Sequence, residues 1–233
     1  MNRDWAAAPE YNFTEHDKIT RNGHETDKTY QVSMINGSPY NKLIALNGEP
    51  LSAEQAAEQN RKEQQEVERR RKESPEAREK RIAKYKKERR QDHELMTEMT
   101  KAFNFTLAGE EVVDGHRCFV LNATPRPGYE PPNRDTQVLL GMRGKMWIDA
   151  KQYQWVKVHA EVFRPVNFGF FFASVKPGTQ FSLEQEPISG NLWLPSHFSM
   201  QLRARIFIES RHSIDDETYT NYQPAAQEQA ARQ

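Results

Sequence analysis

The most constraining stretch of this 233-residue chain runs from Val138 to Glu209, where apolar and polar residues alternate. Phe198, Met200, Leu202, Ala204, Ile206 and Ile208 are apolar, and Phe207 is the one residue out of phase. Ser199, Gln201, Arg203, Arg205 and Glu209 stand between them. Val156, Val158, Ala160 and Val162 repeat the pattern against Lys157, His159 and Glu161. Side chains of a strand point to opposite faces in turn, so a period of two predicts strands with one apolar and one wet face. Antiparallel sheets accommodate this because one face can stay in water.

The flanking segments extend the sheet. Tyr11 to Thr20, Thr29 to Ile35 and Tyr40 to Leu46 read as strands, with Gly23, Asn36-Gly37 and Asn47-Gly48 as turns. Phe103 to Val113 and His116 to Thr124 form a further hairpin about Asp114-Gly115. Five residues within 125–137, Pro125, Pro127, Gly128, Pro131 and Pro132, predict a stiff exposed loop. Gly141 to Asp149 and Tyr153 to Phe163 follow, with a phase slip between Trp155 and Val156 that predicts a bulge. Phe168 to Val175, Thr179 to Glu186, Asn191 to Leu194 and Ser196 to His212 continue the meander, and Asp215 to Tyr222 reads as a last edge strand. The run Phe168-Gly-Phe-Phe-Phe172 reads as core, with the glycine allowing a bend.

Between the two strand regions the chain changes character. Ser52-Ala-Glu-Gln55 has capping-box spacing and opens a helix toward Lys72. Ser74-Pro75 then restarts a second helix, because proline suits the first helical position and breaks an interior. Residues 60–93 hold 14 Lys/Arg and 8 Asp/Glu, a local excess of six positive charges, while the whole chain is neutral. So little of this segment is apolar that residues 60–90 are expected to project into solvent. Leu95, Met96, Met99, Ala102 and Phe103 recur at helical spacing, so that end is expected to pack on the sheet.

Several chemistries find no support. The seven histidines, His16, His24, His93, His116, His159, His197 and His212, show no zinc spacing. There is no nucleophile elbow, phosphate loop or paired-carboxylate motif, so catalytic residues, metal ligands and cofactors are all expected to be none. Asp215-Asp216-Glu217 reads as an acidic turn. The lone Cys118 allows no intrachain disulfide and reads as a buried, inert thiol. No apolar run reaches membrane-spanning length. Met1 is followed by Asn-Arg-Asp-Trp rather than by an export signal. Eight interleaved acids make the basic helices a poor match for nucleic acid, and none is expected as a partner. They suit a solvated face, an acidic protein partner or an anionic membrane surface.

Gly144-Lys-Met-Trp-Ile-Asp149, leading through a turn to Trp155-Val-Lys-Val158, resembles a motif of the outer-membrane lipoprotein-sorting proteins, the LolA/LolB-like superfamily. So does Gly190-Asn-Leu-Trp-Leu-Pro195 before a long alternating strand. The resemblance covers roughly residues 103–222, with a looser fit over 11–46. It implies an α+β fold: a strongly curved antiparallel sheet, an unclosed half-barrel, here with a long charged helical hairpin inserted. Residues 1–9 are then a tail, 10–222 one domain with 52–102 as a helical insertion, and 223–233 a disordered tail. In the motifs the tryptophans are buried anchors, while the glycine and the aspartate shape turns.

The resemblance implies a non-enzymatic binding protein of the periplasm or cell envelope. Its partner would be an acyl chain, a lipid or a lipoprotein on the concave face of the sheet. The alternation assigns Met146, Ile148, Val156, Val158, Val162, Phe198, Met200 and Leu202 to that hydrophobic face, and helical spacing brings Met99 and Phe103 over it. The alternative from a different class is a protein-interaction or envelope-stress regulatory module that uses the charged helices. An enzyme is the least supported reading.

Overall fold

The computed structural model of the chain describes residues 2–168, 173–207 and 209–225. The chain enters through helix α1 (Asn2–Ala7) and a 3-10 turn (Ala8–Glu10), where a tail was expected. Strands β1 (Tyr11–Arg21), β2 (His24–Ile35), β3 (Ser38–Leu46) and β4 (Glu49–Pro50) follow. The β2–β3 turn is tight because Asn36 and Gly37 both adopt positive φ, 48° and 87°, as a two-residue hairpin matched to strand twist requires.

Helix α2 (Ala53–Lys72) starts on the expected capping box. The Gln55 amide donates to Ser52 Oγ at 3.2 Å, and the Ser52 amide donates to Gln55 Oε1 at 3.0 Å. Helix α3 (Pro75–Ala102) restarts at the proline, with the Ala77 amide donating to Ser74 Oγ at 3.3 Å. Each cap satisfies an amide that has no partner inside its own helix.

The remaining strands are β5 (Phe103–Val113), β6 (His116–Pro125), β7 (Met142–Asp149), β8 (Trp155–Val162), β9 (Val166–Phe168), β10 (Ala173–Val175), β11 (Gln180–Ser189), β12 (Leu192–Ile206) and β13 (Glu209–Pro224). Most of the loop expected over 125–137 is irregular, but its end winds into a 3-10 helix (Asp135–Gly141) that buries Thr136 and Leu139. The long strand expected from Ser196 to His212 is two strands. Phe207, out of phase in the sequence, takes φ of 53° and ends the alternation at Ile206. The last strand is interior, between β1 and β12, and not an edge. The phenylalanine run at 169–172, Ile208 and the tail beyond 225 lie outside the described residues.

The fold is α+β, with an antiparallel sheet of thirteen strands among the described residues. It does not close, because β4 and β5 are end strands. The chain divides into two compact units, one of residues 2–18, 26–91 and 218–225, the other of 19–25 and 92–217. The first contains the neighbours β4-β3-β2-β1 and the end of β13. The second runs β12-β11-β8-β7-β6-β5, with β10 also paired to β12 and β9.

In the first unit the charged helices do not project freely, because two arginines clasp the β2–β3 turn. Arg70 is only 7% exposed. Its Nη1 donates to the carbonyls of Ile35 and Ser38, both at 2.8 Å, and its Nη2 donates to Pro39 O at 3.1 Å. Arg81 donates to Ser38 Oγ at 2.7 Å and to Asn36 O at 3.1 Å, and pairs with Glu73. Glu66 receives Arg70 Nε and both nitrogens of the Arg69 fork. A buried guanidinium is tolerable only when its donors are met, and here hairpin carbonyls and a carboxylate meet them. Apolar counting in the sequence misses this attachment because it is made by charge. On β1 and β13 of the same unit, the Phe13 ring lies 5.4 Å from that of Tyr222 and 5.9 Å from that of Tyr219.

Gly144 does not shape a turn as expected. It sits inside β7, where a Cβ would run into the His159 carbonyl oxygen and lie 3.0 Å from Ala160 Cα. Asp149 does shape one. Its Oδ1 accepts from the Lys151 and Gln152 amides at 2.9 and 2.5 Å. Burial pushes this carboxyl up, but those amides and His116 outweigh it and hold it below the usual range.

Two measurements test these features. Arg69 first, and then Arg70, holds the Glu66 carboxyl down to about 2 against its burial. A depressed carboxyl contributes stability fully above its ordinary value near 4.5 and loses it as pH falls toward 2. Thermal melts should therefore fall across that window, and Glu66→Gln should flatten the fall while lowering stability at neutral pH. Gly144→Ala should cost about 1–3 kcal/mol in denaturant unfolding, as overpacking does. An unchanged midpoint would show that β8 yields freely at this position.

Candidate functional site

The register of the second unit assembles the apolar face residue by residue. Directly paired residues share a face, and one row runs Phe198–Leu183–Val158–Met146–Leu121–Leu107 across six strands. The next runs Met200–Phe181–Ala160–Gly144–Ala123–Phe105. Val162 pairs with Met142 beyond them, and Ile148 with Phe119 and Trp155 on the other side. Leu202 keeps the phase of Met200 in β12.

The last turns of α3 cover part of this face. Met99, Ala102 and Phe103 form one buried cluster with Ala123, Leu139, Met142, Val158, Ala160 and Val162. Leu95, Met96, Phe105, Met146 and Phe181 pack against it. Polar contacts fix the helix end in place. Glu98, itself buried, accepts from Lys101 Nζ at 2.5 Å and from Tyr129 Oη at 3.0 Å. Asn133 Nδ2 donates to Glu94 Oε1 at 3.0 Å. Lys101, and to a lesser degree Tyr129, holds the Glu98 carboxyl below its usual range against burial. Burial first, and then Glu98, pushes the Tyr129 hydroxyl up to about 12, so it stays a donor. Where the helix becomes a strand, Arg126 Nη2 donates to Phe103 O at 3.1 Å and the Arg126 amide to Ala102 O at 2.8 Å.

The cover is partial. Within each row the β8 residue, Val158 or Ala160, is buried, while Leu183 and Phe181 in β11, Phe198 and Met200 in β12, and Met146, Leu121 and Phe105 on the other side are half-buried. On the other flank Leu107 of β5 is 66% exposed. Of the ten face residues expected from sequence, Met99, Phe103, Met146, Val158 and Val162 meet at the central cluster. Ile148, Phe198, Met200 and Leu202 lie on the same face, half-buried. Val156 is the exception. It is the extra residue of the β8 bulge, since Trp147 pairs with Lys157 while Ile148 pairs with Trp155. One extra residue turns the side chain to the opposite face. There Val156 packs with Cys118 and Trp193, beside Val113 and Trp147. Sequence analysis missed Phe181, Leu183 and Leu121, although Phe181-Ser-Leu-Glu184 is itself alternating.

Beyond that small apolar cluster, the opposite face carries polar side chains in pairs. Lys157 Nζ lies 2.6 Å from Glu184, His197 Nε2 lies 3.0 Å from Asp216, and His159 Nδ1 lies 2.8 Å from Ser182 Oγ. The motif tryptophans differ in burial. Trp193 is enclosed, with Nε1 donating to Gln152 Oε1 at 2.7 Å, whereas Trp147 is half-buried and donates to Glu111 at 2.8 Å. Cys118 is buried, and burial raises its thiol, with Asp149 adding to the rise. Among the described residues, no cluster of three His, Cys, Asp or Glu could hold a metal ion. Among them too, no helix is long and apolar enough to cross a membrane.

No protein-family model and no curated protein matches the chain. Solved structures do. A LolA superfamily protein from Nitrosomonas europaea is 12% identical, with 95% of this chain and 92% of that one covered and a TM-score of 0.31. A DUF1329 family protein from Desulfovibrio piger is 14% identical over 96% and 92%, with a TM-score of 0.33. A domain described as an outer membrane lipoprotein-sorting protein, from Vibrio parahaemolyticus, is 9% identical over 95% and 89%, with a TM-score of 0.36. Two of these names coincide with the superfamily that the Gly144–Asp149 and Gly190–Pro195 motifs resemble. TM-scores this low decide nothing about what the chain binds.

Proposed function

We propose that this chain is a binding protein of the cell envelope that holds a hydrophobic ligand on the apolar face of the second unit's sheet. The ligand is an acyl chain, free or carried by a lipid or a lipoprotein. The observation that supports this most is the burial gradient along the two cross-strand rows. The end of α3 buries the face at β8, and the same rows are only half-buried at β11 and β12. Phe198, Met200, Phe181 and Leu183 form a contiguous apolar surface there by register. Each ligand methylene buried against it would contribute roughly 0.8 kcal/mol, so a short stretch of chain suffices for useful affinity. The motif resemblance of the sequence points to the same ligand class.

The test is uptake of a fluorescent fatty acid, with native mass spectrometry of the purified protein for lipid already bound. The wild-type chain should take up the probe, and Met200→Arg should abolish uptake while circular dichroism stays unchanged, because Met200 is half-exposed. Met99→Ala should cost about 2–5 kcal/mol of stability and leave uptake intact or raised, because it enlarges the space under α3. A well-folded chain that neither carries lipid nor takes up the probe would overturn the proposal.

A further inference from the structure

The first unit contains a cavity of about 320 Å³, at the lower end of the roughly 300–1,000 Å³ of small-molecule sites. It lies between α1, the β2–β3 turn and α3. Trp5, Pro9 and Tyr85 supply its apolar wall, and Lys86, Arg89 and Arg90 its charge; among the described residues no acid lines it.

The wall is assembled in advance. The Arg89 guanidinium stands 4.7 Å from the centre of the Trp5 ring and 5.7 Å from that of Tyr85. It donates to the Trp5 carbonyl and, at 3.3 Å, to Tyr85 Oη, while Trp5 Nε1 donates back to Arg89 O at 3.3 Å. Arg89 therefore ties α1 to α3 and keeps both rings facing the space.

The other two cations are held differently. Many basic residues of these helices sit against an acid: Lys62 against Glu58 at 2.7 Å, Arg70 against Glu66 at 2.5 Å, Lys84 against Glu88 at 3.8 Å. Lys86 and Arg90 have no such partner among the described residues. They stand four residues apart on one helix face, where like charges repel. An anion between them would relieve that repulsion, and the aromatic wall would accept an apolar body attached to it.

We propose that this cavity binds a small amphiphilic anion, its phosphate or carboxylate head on Lys86 and Arg90 and its apolar body against Trp5, Pro9 and Tyr85. The site is separate from the sheet face and its occupancy does not depend on a ligand there. The same chemistry is presented by a free amphiphile and by an anionic phospholipid at a membrane surface.

Two arms separate these sources. In the first, octyl phosphate below its micelle concentration is titrated calorimetrically into the full chain at low salt. One saturable site is expected, weakened at least tenfold by Lys86→Gln with Arg90→Gln and by Ala6→Phe, which fills the cavity. Raising salt past physiological strength should weaken it too. Met200→Arg should leave it unchanged, which distinguishes this site from the sheet face. In the second arm, the chain is sedimented with phosphatidylcholine vesicles with and without phosphatidylglycerol. Retention that needs phosphatidylglycerol and is lost in the doubly substituted chain identifies a membrane headgroup as the anion. Absence of binding in both arms, binding indifferent to the Lys86 and Arg90 substitutions, or loss of octyl phosphate binding in Met200→Arg would each overturn the proposal. Lys86, Arg90 and Ala6 are exposed, so these variants are expected to fold, with circular dichroism as the check.

Discussion

A sheet with one apolar face must hide that face from water, and in the second unit the end of α3 meets much of this demand. Met99, Ala102 and Phe103 close over Val158, Ala160 and Val162. The register of β5 through β8, and of β11 and β12, follows, because a slip by one residue would send every apolar side chain to the wet face. The helix end is positioned by polar contacts from the following loop, where Glu98 accepts from Tyr129 and Glu94 from Asn133. Hydrophobic burial supplies the drive, and these loop contacts tie the helix end down beside the sheet.

The first unit is organised on the opposite principle. Its helices offer little apolar surface, and its α2 and α3 segments are attached by guanidinium groups to the carbonyls of the β2–β3 turn. Such an attachment is directional, since each donor must meet an acceptor in a fixed fork. The same turn, through Gly37, borders the cavity that Trp5, Tyr85 and Arg89 enclose. One hairpin therefore anchors the charged helices and borders the cavity beside them. The two units thus differ in kind: one has an apolar surface that is only partly covered, the other a cavity lined by cations and aromatic rings.

Much of the secondary structure was legible in the sequence because its signals are local. The capping box at Ser52, the restart at Ser74-Pro75, the Asn-Gly turns and the bulge before Val158 each depend on a few adjacent residues, and each forms where it was expected. The single strand read across 196–212 shows the limit. Phe207 was visibly out of phase, but only its positive φ reveals that the chain reverses there. Val156 shows a second limit. The bulge was foreseen, but its effect on which face Val156 joins depends on pairing with Trp147 and Ile148 of another strand.

The sequence by itself determined that this chain alternates along long strands, carries a broken charged helical segment and keeps an apolar stripe at the end of it. Those are consequences of period, capping and backbone restriction, which act within a few residues. Only the tertiary structure decided that Arg70 and Arg81 bind the β2–β3 turn, that α3 covers the rows at β8 and leaves them half-buried at β11 and β12, and that Trp5 meets Arg89 eighty-four positions away. These contacts join residues far apart in the chain, and their partners are carbonyls, rings and half-buried methyl groups. Such groups have no spacing to announce them until the strands are in register.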